Sequence, residues 1–243
     1  MCGRFTLTKP IPWLAEILDA KNTESVGSVS SRYNVAPGTE IAIVRAKEST
    51  DKDAHELALA RWGLVPFWAK DADFGARTIN ARSETASQKP AFRAAFRYKR
   101  CLIPADGFYE WAGSGRKKQP FFIHLEARKP FAFAGLWESW TGADGSVLET
   151  CTVLTTEANE KLADLHHRMP VILPEESYAE WLNPGENRAK AIQEILKPYP
   201  SEAFSYYPVS ERVNSPRNDD AACIERRAEE EKPPELQGSL FGD

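Results

Sequence analysis

Apolar and polar positions along the chain predict a series of short strands in its middle, with helices around them. Nine segments are rich in β-branched and aromatic residues and end at glycine, proline or lysine turns, a pattern typical of strands. These segments are 41–44, 57–62, 101–104, 107–111, 120–125, 131–140, 147–155, 168–173 and 204–209. Strands and helices do not alternate regularly, and the sequence has no internal repeat. The pattern therefore predicts an α+β fold with one core.

Helices are predicted where apolar residues recur at helical spacing or follow a capping residue. The segments are 11–18, 159–166, 175–182, 187–196 and one that starts at a cap on Ser83 or Thr85 and runs to about Phe96. Residues 32–38 have turn-forming chemistry. From about Ala221 the composition changes to Glu, Arg, Lys and Pro. We therefore expect one domain over residues 1–220 and a disordered charged tail over 221–243.

The 243 residues include 42% hydrophobic side chains, with seven Trp and twelve Phe, which is enough for a substantial core. The sequence has no run of about 18 apolar residues and no secretory signal, so we expect a cytosolic protein. Cys2, Cys101, Cys151 and Cys223 are far apart and form no CxxC pair. This spacing argues against a zinc site and a disulfide framework, and we expect no metal or other cofactor.

The net charge of −4 is unevenly distributed along the chain. Residues 225–243 hold six acidic and three basic side chains, whereas residues 61–100 hold nine basic and only three acidic ones. That local excess is enough to bind phosphates, although a solvated basic face would have the same composition. Trp62 and Trp68 lie inside the basic segment, on either side of a Pro/Gly turn.

The first five residues, MCGRF, carry unusual chemistry. Initiator methionine is normally removed before a residue as small as Cys2, which would leave an α-amine beside a thiol; autocatalytic removal and removal by an aminopeptidase both stay open. The α-amine has an ordinary pKa of about 7.7 to 8, so part of it is unprotonated at neutral pH. It can attack an aldehyde, and the thiol can then close a five-membered thiazolidine on the same carbon. The alternative is a small residue near a frayed terminus.

Three polar residues elsewhere are candidates to support such chemistry. Glu110 lies in an apolar run and shares a strand face with Phe108, a setting suited to a general acid or base, although an outward-facing glutamate has the same pattern. His166 and His167 are adjacent, so they cannot readily chelate one metal. Asn80 is an uncharged amide that could orient a nucleophile or close a turn.

Six motifs together resemble one family. They are MCGRF at 1–5, YNVAP at 33–37, RWGLVP at 61–66, NARSE at 80–84, PADGFYEW at 104–111 and HHRMP at 166–170. In this order and spacing the chain resembles the SRAP family, SOS response-associated peptidase-like proteins that process abasic sites in DNA. The resemblance covers about residues 2–215. The family's HxRMP motif begins at His166, with His167 at the variable position.

This resemblance implies a compact α+β domain with a β-barrel-like mixed core flanked by helices, and Cys2 at the base of a groove. It implies that the Cys2 amine forms a Schiff base with an abasic site in single-stranded DNA and that the thiol closes a thiazolidine, which shields the lesion during replication. Asn80 would hold Cys2, Glu110 or His166 would transfer protons, and Glu110 would reopen the ring. Elimination of the 3′ phosphate from the Schiff base would give a weak lyase activity.

Recognition of a lesion without a base requires no sequence readout. Arginines would hold phosphates, and tryptophans would stack on flanking bases at roughly 1 to 3 kcal/mol per base. The DNA-contacting residues implied are Arg4, Asn34, Trp68, Arg77, Arg82, Trp111 and Arg168. We expect a monomer that associates with the nucleoid when bound to DNA.

Two other function classes compete. An N-terminal-nucleophile amidohydrolase, such as a glutamine amidotransferase domain, would use the α-amine as the base for the Cys2 thiol. That class leaves the basic segment and the aromatic motifs unused, and no synthase domain follows. A non-enzymatic single-strand-binding module would not require the terminal cysteine.

The last residues, QGSLFGD, form an isolated apolar spot on the polar tail. They resemble the Gln-x-Ser-Leu-Phe peptides that dock on bacterial sliding clamps, with Gln237 making polar contacts and Leu240 and Phe241 filling the pocket. A chance apolar spot on a solvated tail is the alternative.

Overall fold

The structure, a computed structural model, describes residues 2–9, 30–46, 55–113, 118–183 and 189–227. The helix predicted at 11–18 and the tail from residue 228 lie outside the described residues. The strands are β1 Phe5–Leu7, β2 Arg32–Val35, β3 Glu40–Ala46, β4 His55–Trp62, β5 Asn80–Arg82, β6 Arg100–Ala105, β7 Gly107–Ala112, β8 Gln119–Leu125, β9 Phe131–Thr141, β10 Val147–Glu157, β11 Arg168–Pro170, β12 Ile172–Leu173 and β13 Phe204–Pro208.

Five of these strands close into a barrel. Antiparallel pairing joins β4 to β3, β3 to β6, β6 to β9 and β9 to β10, and β10 returns to β4 in the parallel sense. The edge strand β5 continues the parallel pairing further along β10. The single parallel closure makes the sheet mixed, which confirms the predicted barrel-like core.

The second sheet has five antiparallel strands in the order β13, β8, β7, β1 and β2. Successive residues of the barrel strands alternate between two buried clusters, as the two-residue period of a strand requires. Ile43 belongs to a cluster with Phe5 and Phe108 of the second sheet, whereas its neighbour Val44 belongs to a cluster with residues of the helices. The α+β fold class is therefore confirmed, and Cys2 lies in the first cluster.

The helices are short. The α-helices are Ser83–Ala86, Arg93–Tyr98, Glu160–Ala163, Tyr178–Leu182 and Ala189–Ile195, and the 3₁₀ helices are Ala72–Arg77, Glu126–Arg128, Glu175–Ser177, Ser201–Ala203, Glu211–Asn214 and Ala221–Ile224. The single helix predicted to run to Phe96 is wrong, because Pro90 disfavours the helical conformation at Lys89 and splits the segment in two. Neither Ser83 nor Thr85 is the cap; Arg82 occupies that position, and its side chain makes no capping hydrogen bond.

Three further differences concern chain ends and edges. The strand predicted at 168–173 is two strands, because β11 pairs with β10 and β12 pairs with β9. The segment predicted as a turn at 32–38 contains β2. Residues 221–227 are folded: Cys223 is fully buried, and Arg226 forms a β-bridge with Val209. The folded segment therefore continues past the predicted boundary at residue 220.

A glycine contact fixes the loop that follows β4. Gly63 has a φ of +134°, and a Cβ added there would lie 2.7 Å from the carbonyl oxygen of Gly75. The Trp140 indole N–H donates to Ala69 O at 2.8 Å, and Arg61 donates to Ala72 O at 2.7 Å. The loop between the two glycines is therefore anchored at both ends and in its middle.

We expect Gly63→Ala to lower the free energy of unfolding by about 2 kcal/mol or more, because it adds backbone strain to a clash between main chains. For a chain of this size that is a fall in Tm of roughly 4 to 8 °C. Gly38→Ala is the matched control, since Gly38 has a φ of +84° but no atom within 4 Å of an added Cβ. Equal losses in a thermal melt would show that the contact with Gly75 contributes nothing.

Candidate active site

The Cys2 side chain is fully buried at the start of the chain that leads into β1. Its Sγ lies 3.8 Å from Arg4 O, within range of a weak S–H hydrogen bond. Burial raises the pKa of the thiol to about 12, and the Glu110 carboxylate adds to the rise. The side chain is therefore a neutral thiol at neutral pH, and any attack by sulfur requires a base that takes its proton.

Asn80 reaches Cys2 from the barrel. It is the first residue of β5 and lies opposite Val153 of β10. Its Nδ2 donates a hydrogen bond to Cys2 O at 2.8 Å. Its Oδ1 is buried and has no hydrogen-bond partner among the residues that the structure describes. The amide that holds Cys2 O therefore also carries an unused acceptor, which can receive a further N–H group.

Glu110 approaches Cys2 from the second sheet. β7 runs antiparallel to β1 with Phe108 opposite Phe5, and the Tyr109 amide donates to Arg4 O at 3.0 Å. Because this pairing continues towards the N-terminus, Glu110 lies alongside the first residues of the chain. Its side chain is buried, on the strand face it shares with Phe108. Of the two orientations that the sequence left open for Glu110, the structure shows the inward one.

His166 completes the group from the segment between Glu160–Ala163 and β11. Its Nδ1 accepts a hydrogen bond from the Arg168 amide at 2.9 Å, and Arg168 O lies 3.2 Å from the same nitrogen. One residue therefore offers the ring both a donor and an acceptor, which suits both of its protonation states. Burial lowers the pKa of His166, against an opposing effect of the Glu110 carboxylate. The His167 ring stacks on it, with centroids 4.3 Å apart.

Three sequence segments that are far apart in the chain therefore converge on Cys2. An amide holds its carbonyl, a carboxylate raises the pKa of its thiol, and an imidazole responds to the same carboxylate. An N-terminal nucleophile needs this kind of surrounding: one group that orients it and others that move protons. The four residues Cys2, Asn80, Glu110 and His166 form the candidate active site.

Comparison with known proteins gives the family of the chain. The family model described as "SOS response associated peptidase (SRAP)" matches residues 1–216. The chain belongs to the SRAP family. It is 44% identical over 226 residues to "Abasic site processing protein YoqW" of Bacillus subtilis (strain 168), an alignment that covers 93% of this chain and 99% of YoqW. It is 43% identical over 226 residues to "Abasic site processing protein YoaM" of the same organism, covering 93% and 98%.

The fold of this SRAP protein is also similar to that of solved structures. A crystal structure of a protein from Bacteroides thetaiotaomicron superposes with a TM-score of 0.81 at 29% identity, covering 93% of this chain and 100% of the other. None of the helices in the described ranges has both the length and the apolar character that a membrane span requires. Over the same ranges, His, Cys, Asp and Glu side chains form no group of three or more that could hold a metal ion.

Not every cation of the basic segment in this SRAP chain lies on the surface. Six of its nine cations are exposed: Lys70, Arg77, Arg82, Lys89, Arg93 and Arg97. The other three are used inside the fold. Arg61 bonds to Ala72 O, Lys99 pairs with the buried Glu138, and Arg100 donates to the carbonyl oxygens of Phe96 and Trp181. The six exposed cations are therefore the candidates for phosphate contact in this segment.

Trp68 lies on the anchored loop with half of its surface exposed, whereas Trp62 is buried and donates to Ile79 O at 2.7 Å. The Trp68 ring meets Phe74 edge-on at 5.4 Å, and the Arg77 guanidinium lies 5.1 Å from the Phe74 centroid. Phe67 is more exposed still, at 64%. Sequence reasoning did not propose Phe67 or Phe74 as neighbours of Trp68 on this surface. Phe67 could have been proposed, because it lies between Pro66 and Trp68 in a turn within the basic segment.

Arg168 and Asn34, two of the predicted DNA contacts, are buried and hydrogen-bonded to other residues of the fold. Arg168 is buried and forms a bidentate ion pair with Glu84, at 2.6 and 2.9 Å, which lowers the pKa of Glu84 although burial acts to raise it. Asn34 is buried and accepts a hydrogen bond from Arg4 at 2.9 Å. Both residues remain predicted DNA contacts, and both have structural partners that a phosphate would have to displace or share.

Proposed function

We propose that this protein recognises abasic sites in single-stranded DNA and links itself to them through Cys2 after Met1 has been removed. The convergence of Asn80, Glu110 and His166 on Cys2 is the observation that carries this proposal. The names of YoqW and YoaM as abasic site processing proteins support the substrate class. The adduct would shield the lesion while the strand is copied or repaired.

The chemistry follows from an aldehyde meeting a 1,2-aminothiol. The Cys2 amine adds to C1′ of the opened sugar, and loss of water gives an imine. The sulfur then bonds to the same carbon, and the imine nitrogen gains the proton that the thiol loses, so the thiazolidine forms without an oxidant or reductant. Because the thiol is neutral, a base must take its proton. Glu110 acts on the thiol directly and His166 interacts with Glu110, so these two residues are the candidates for that role. The free Oδ1 of Asn80 would accept a hydrogen bond from the amine.

The imine has a second fate. Loss of the proton at C2′ would eliminate the 3′ phosphate and cleave the strand, which is lyase chemistry. Ring closure competes with this elimination, so we propose that the lyase activity is a weak side branch. Protonation of the ring nitrogen or sulfur by Glu110 would reopen the thiazolidine and allow release.

DNA would be held by charge and stacking. Arg4, Arg77 and Arg82 would contact phosphates, and Trp68 and Trp111 would stack on flanking bases. Affinity should therefore fall as salt rises, with little dependence on sequence. We propose that the protein acts as a monomer on a single strand.

One experiment tests the function. The purified protein is incubated with a single-stranded oligonucleotide that contains one abasic site, and the mixture is run on a denaturing gel. A shifted band that survives heat and detergent, and that is missing with the intact oligonucleotide, is the expected result. A glutaminase assay on the same sample tests the amidohydrolase class. Turnover of glutamine without a DNA adduct would contradict the proposal.

We expect Glu110→Gln to slow both formation and reversal of the adduct by about a hundredfold or more, because a general acid–base group contributes at least that much. His166→Ala should slow mainly formation or the lyase branch. Rates come from gel time courses at saturating abasic DNA, with release followed after a chase of unlabelled oligonucleotide. His167→Ala is the matched control on the stacked neighbour. A variant of Glu110 or His166 with wild-type kinetics would remove that residue from the site.

The tail gives a second partner to propose, although residues 228–243 lie outside the described residues. We propose that Gln237, Leu240 and Phe241 dock on the sliding clamp and bring the protein to exposed template. So short a peptide binds weakly, so a micromolar Kd is expected. A synthetic peptide of residues 232–243 should bind the clamp by fluorescence anisotropy, and Leu240→Ala with Phe241→Ala should abolish binding. No binding at tens of micromolar, or binding that the double substitution leaves unaltered, would contradict this docking.

A further inference from the structure

The segment from Ser210 to Arg227, here called the C-terminal strap, covers the edge of β2. The Asp219 carboxylate accepts hydrogen bonds from the amides of Tyr33 at 2.5 Å and Asn34 at 2.7 Å. Beyond it, the Arg227 amide donates to Pro208 O at 2.8 Å. The family model ends at residue 216, so the second half of the strap lies outside that match.

The strap bonds to the buried amide of Asn34. The Asn34 Nδ2 lies within 3.1 Å of the carbonyl oxygens of Val213, Ser215 and Asn218. Two N–H groups therefore serve three acceptors, and the Oδ1 of the same side chain accepts from Arg4. Asn34 thus joins the strap to the residue that immediately precedes β1.

The strap also fixes the Arg4 guanidinium. Arg4 donates to Val213 O at 2.9 Å and to Asn214 O at 3.3 Å, in addition to Asn34. All of these acceptors are neutral, and the structure pairs Arg4 with no carboxylate among the residues it describes. The positive charge is therefore held in place without being cancelled, which is the condition for attracting a phosphate.

Asn214, which accepts a hydrogen bond from Arg4, also bonds to Trp111. The Trp111 indole N–H donates to Asn214 Oδ1 at 2.7 Å. Trp111 is half-buried and also packs against Tyr109, with ring centroids 6.3 Å apart. Asn214 is exposed, and it contacts the guanidinium through its carbonyl and the indole through its side chain. A cation and an aromatic ring therefore share one support.

We propose that Asn214 is a positioning residue that presents Trp111, beside the fixed charge of Arg4, to a nucleotide next to the lesion. This inference rests on the proposed function, in which both residues contact single-stranded DNA. An indole held in one orientation loses less conformational freedom when a base stacks on it, so the support increases affinity without touching the DNA. The chemistry at Cys2 takes no part in this effect.

The test compares Asn214→Ala with Asn218→Ala in the full chain. Asn218 lies on the same strap, and its side chain donates to Arg212 O and to neither Arg4 nor Trp111. The Kd for an intact single-stranded oligonucleotide is measured by fluorescence anisotropy for both variants, for Trp111→Phe and for Trp111→Phe with Asn214→Ala. Thermal melts check that all variants fold.

Asn214→Ala should raise Kd about threefold to tenfold, the equivalent of one hydrogen bond, while Asn218→Ala stays within about twofold. In the Trp111→Phe background the Asn214 substitution should add little, because the indole N–H is already gone. With abasic DNA, the half-saturating concentration should rise and the rate of adduct formation at saturation should not. Equal effects of the two asparagines, the same fold-change in the Trp111→Phe background, or a wild-type protein that does not bind single strands would each overturn the proposal.

The two proposals fail in different ways. Absence of a covalent adduct with abasic DNA would count against the chemistry of Cys2, and the Kd values on intact DNA would still test Asn214. A normal adduct together with an unchanged Kd in Asn214→Ala would count against the strap alone.

Discussion

Cys2→Ala is expected to abolish the adduct that survives denaturation, while Kd for intact single-stranded DNA stays close to the wild-type value. The α-amine remains in this variant, so an imine can still form, but nothing closes the ring and the imine hydrolyses. The alanine removes only a buried sulfur, so the loss of stability should be about 1 kcal/mol. Denaturing gels with and without borohydride measure the effect, because borohydride reduces an imine to a stable amine.

Cys2→Ser separates the amine from the thiol. Serine has nearly the same shape, and its hydroxyl can donate to Arg4 O as the thiol does. We expect the serine variant to be retained on abasic DNA only when borohydride is present. A serine adduct that resists denaturation without borohydride would refute the thiazolidine.

Retention of Met1 is expected to be as damaging as Cys2→Ala, because it converts the nucleophilic amine into a peptide nitrogen. One glutamate inserted between Met1 and Cys2 should prevent trimming, and the extended protein should give no adduct with abasic DNA. Mass spectrometry of the N-terminus identifies which chain is present in each sample.

The matched control carries a cleavable tag whose removal leaves Cys2 as the first residue, and it should regain the wild-type yield. If the extended chain cross-links while its mass remains unprocessed, the α-amine is not the nucleophile. If its mass shows that Cys2 has been exposed, the chain removes its own N-terminal residues, and the time course of that loss should precede the adduct.

Local patterns predicted those parts of the fold that depend on neighbours in sequence. Alternation placed Glu110 on the same strand face as Phe108, and the helix predicted at 159–166 is present as Glu160–Ala163. Asn159 caps that helix, since its Oδ1 accepts from the Leu162 amide at 3.0 Å. The split at Pro90 was also readable, since the restriction that proline imposes on Lys89 is local. The three-residue strands β1 and β5 were not predicted, because pairing with distant strands creates them.

For the candidate site, too, the sequence indicated which residues matter but not the contacts between distant ones. Residue types and motif order made Cys2, Asn80, Glu110 and His166 candidates, but they could not predict the bond from Asn80 to Cys2, which spans 78 positions. Charge counting could not tell exposed from engaged arginines. Arg168 is paired with Glu84 across 84 positions, and Arg100 with the carbonyl of Asn183 across 83. A partner so distant in sequence leaves no local signal at either residue.

Asn80 bonds to the backbone carbonyl of residue 2 and not to its side chain. This bond therefore holds any residue small enough for the buried position of Cys2 in the same place, near the Glu110 carboxylate. Asn80 of β5 thus fixes the position of the N-terminal residue, and the side chain of residue 2 determines its reactivity. Variants with different small residues at position 2 would show how different N-terminal nucleophiles react in the same position.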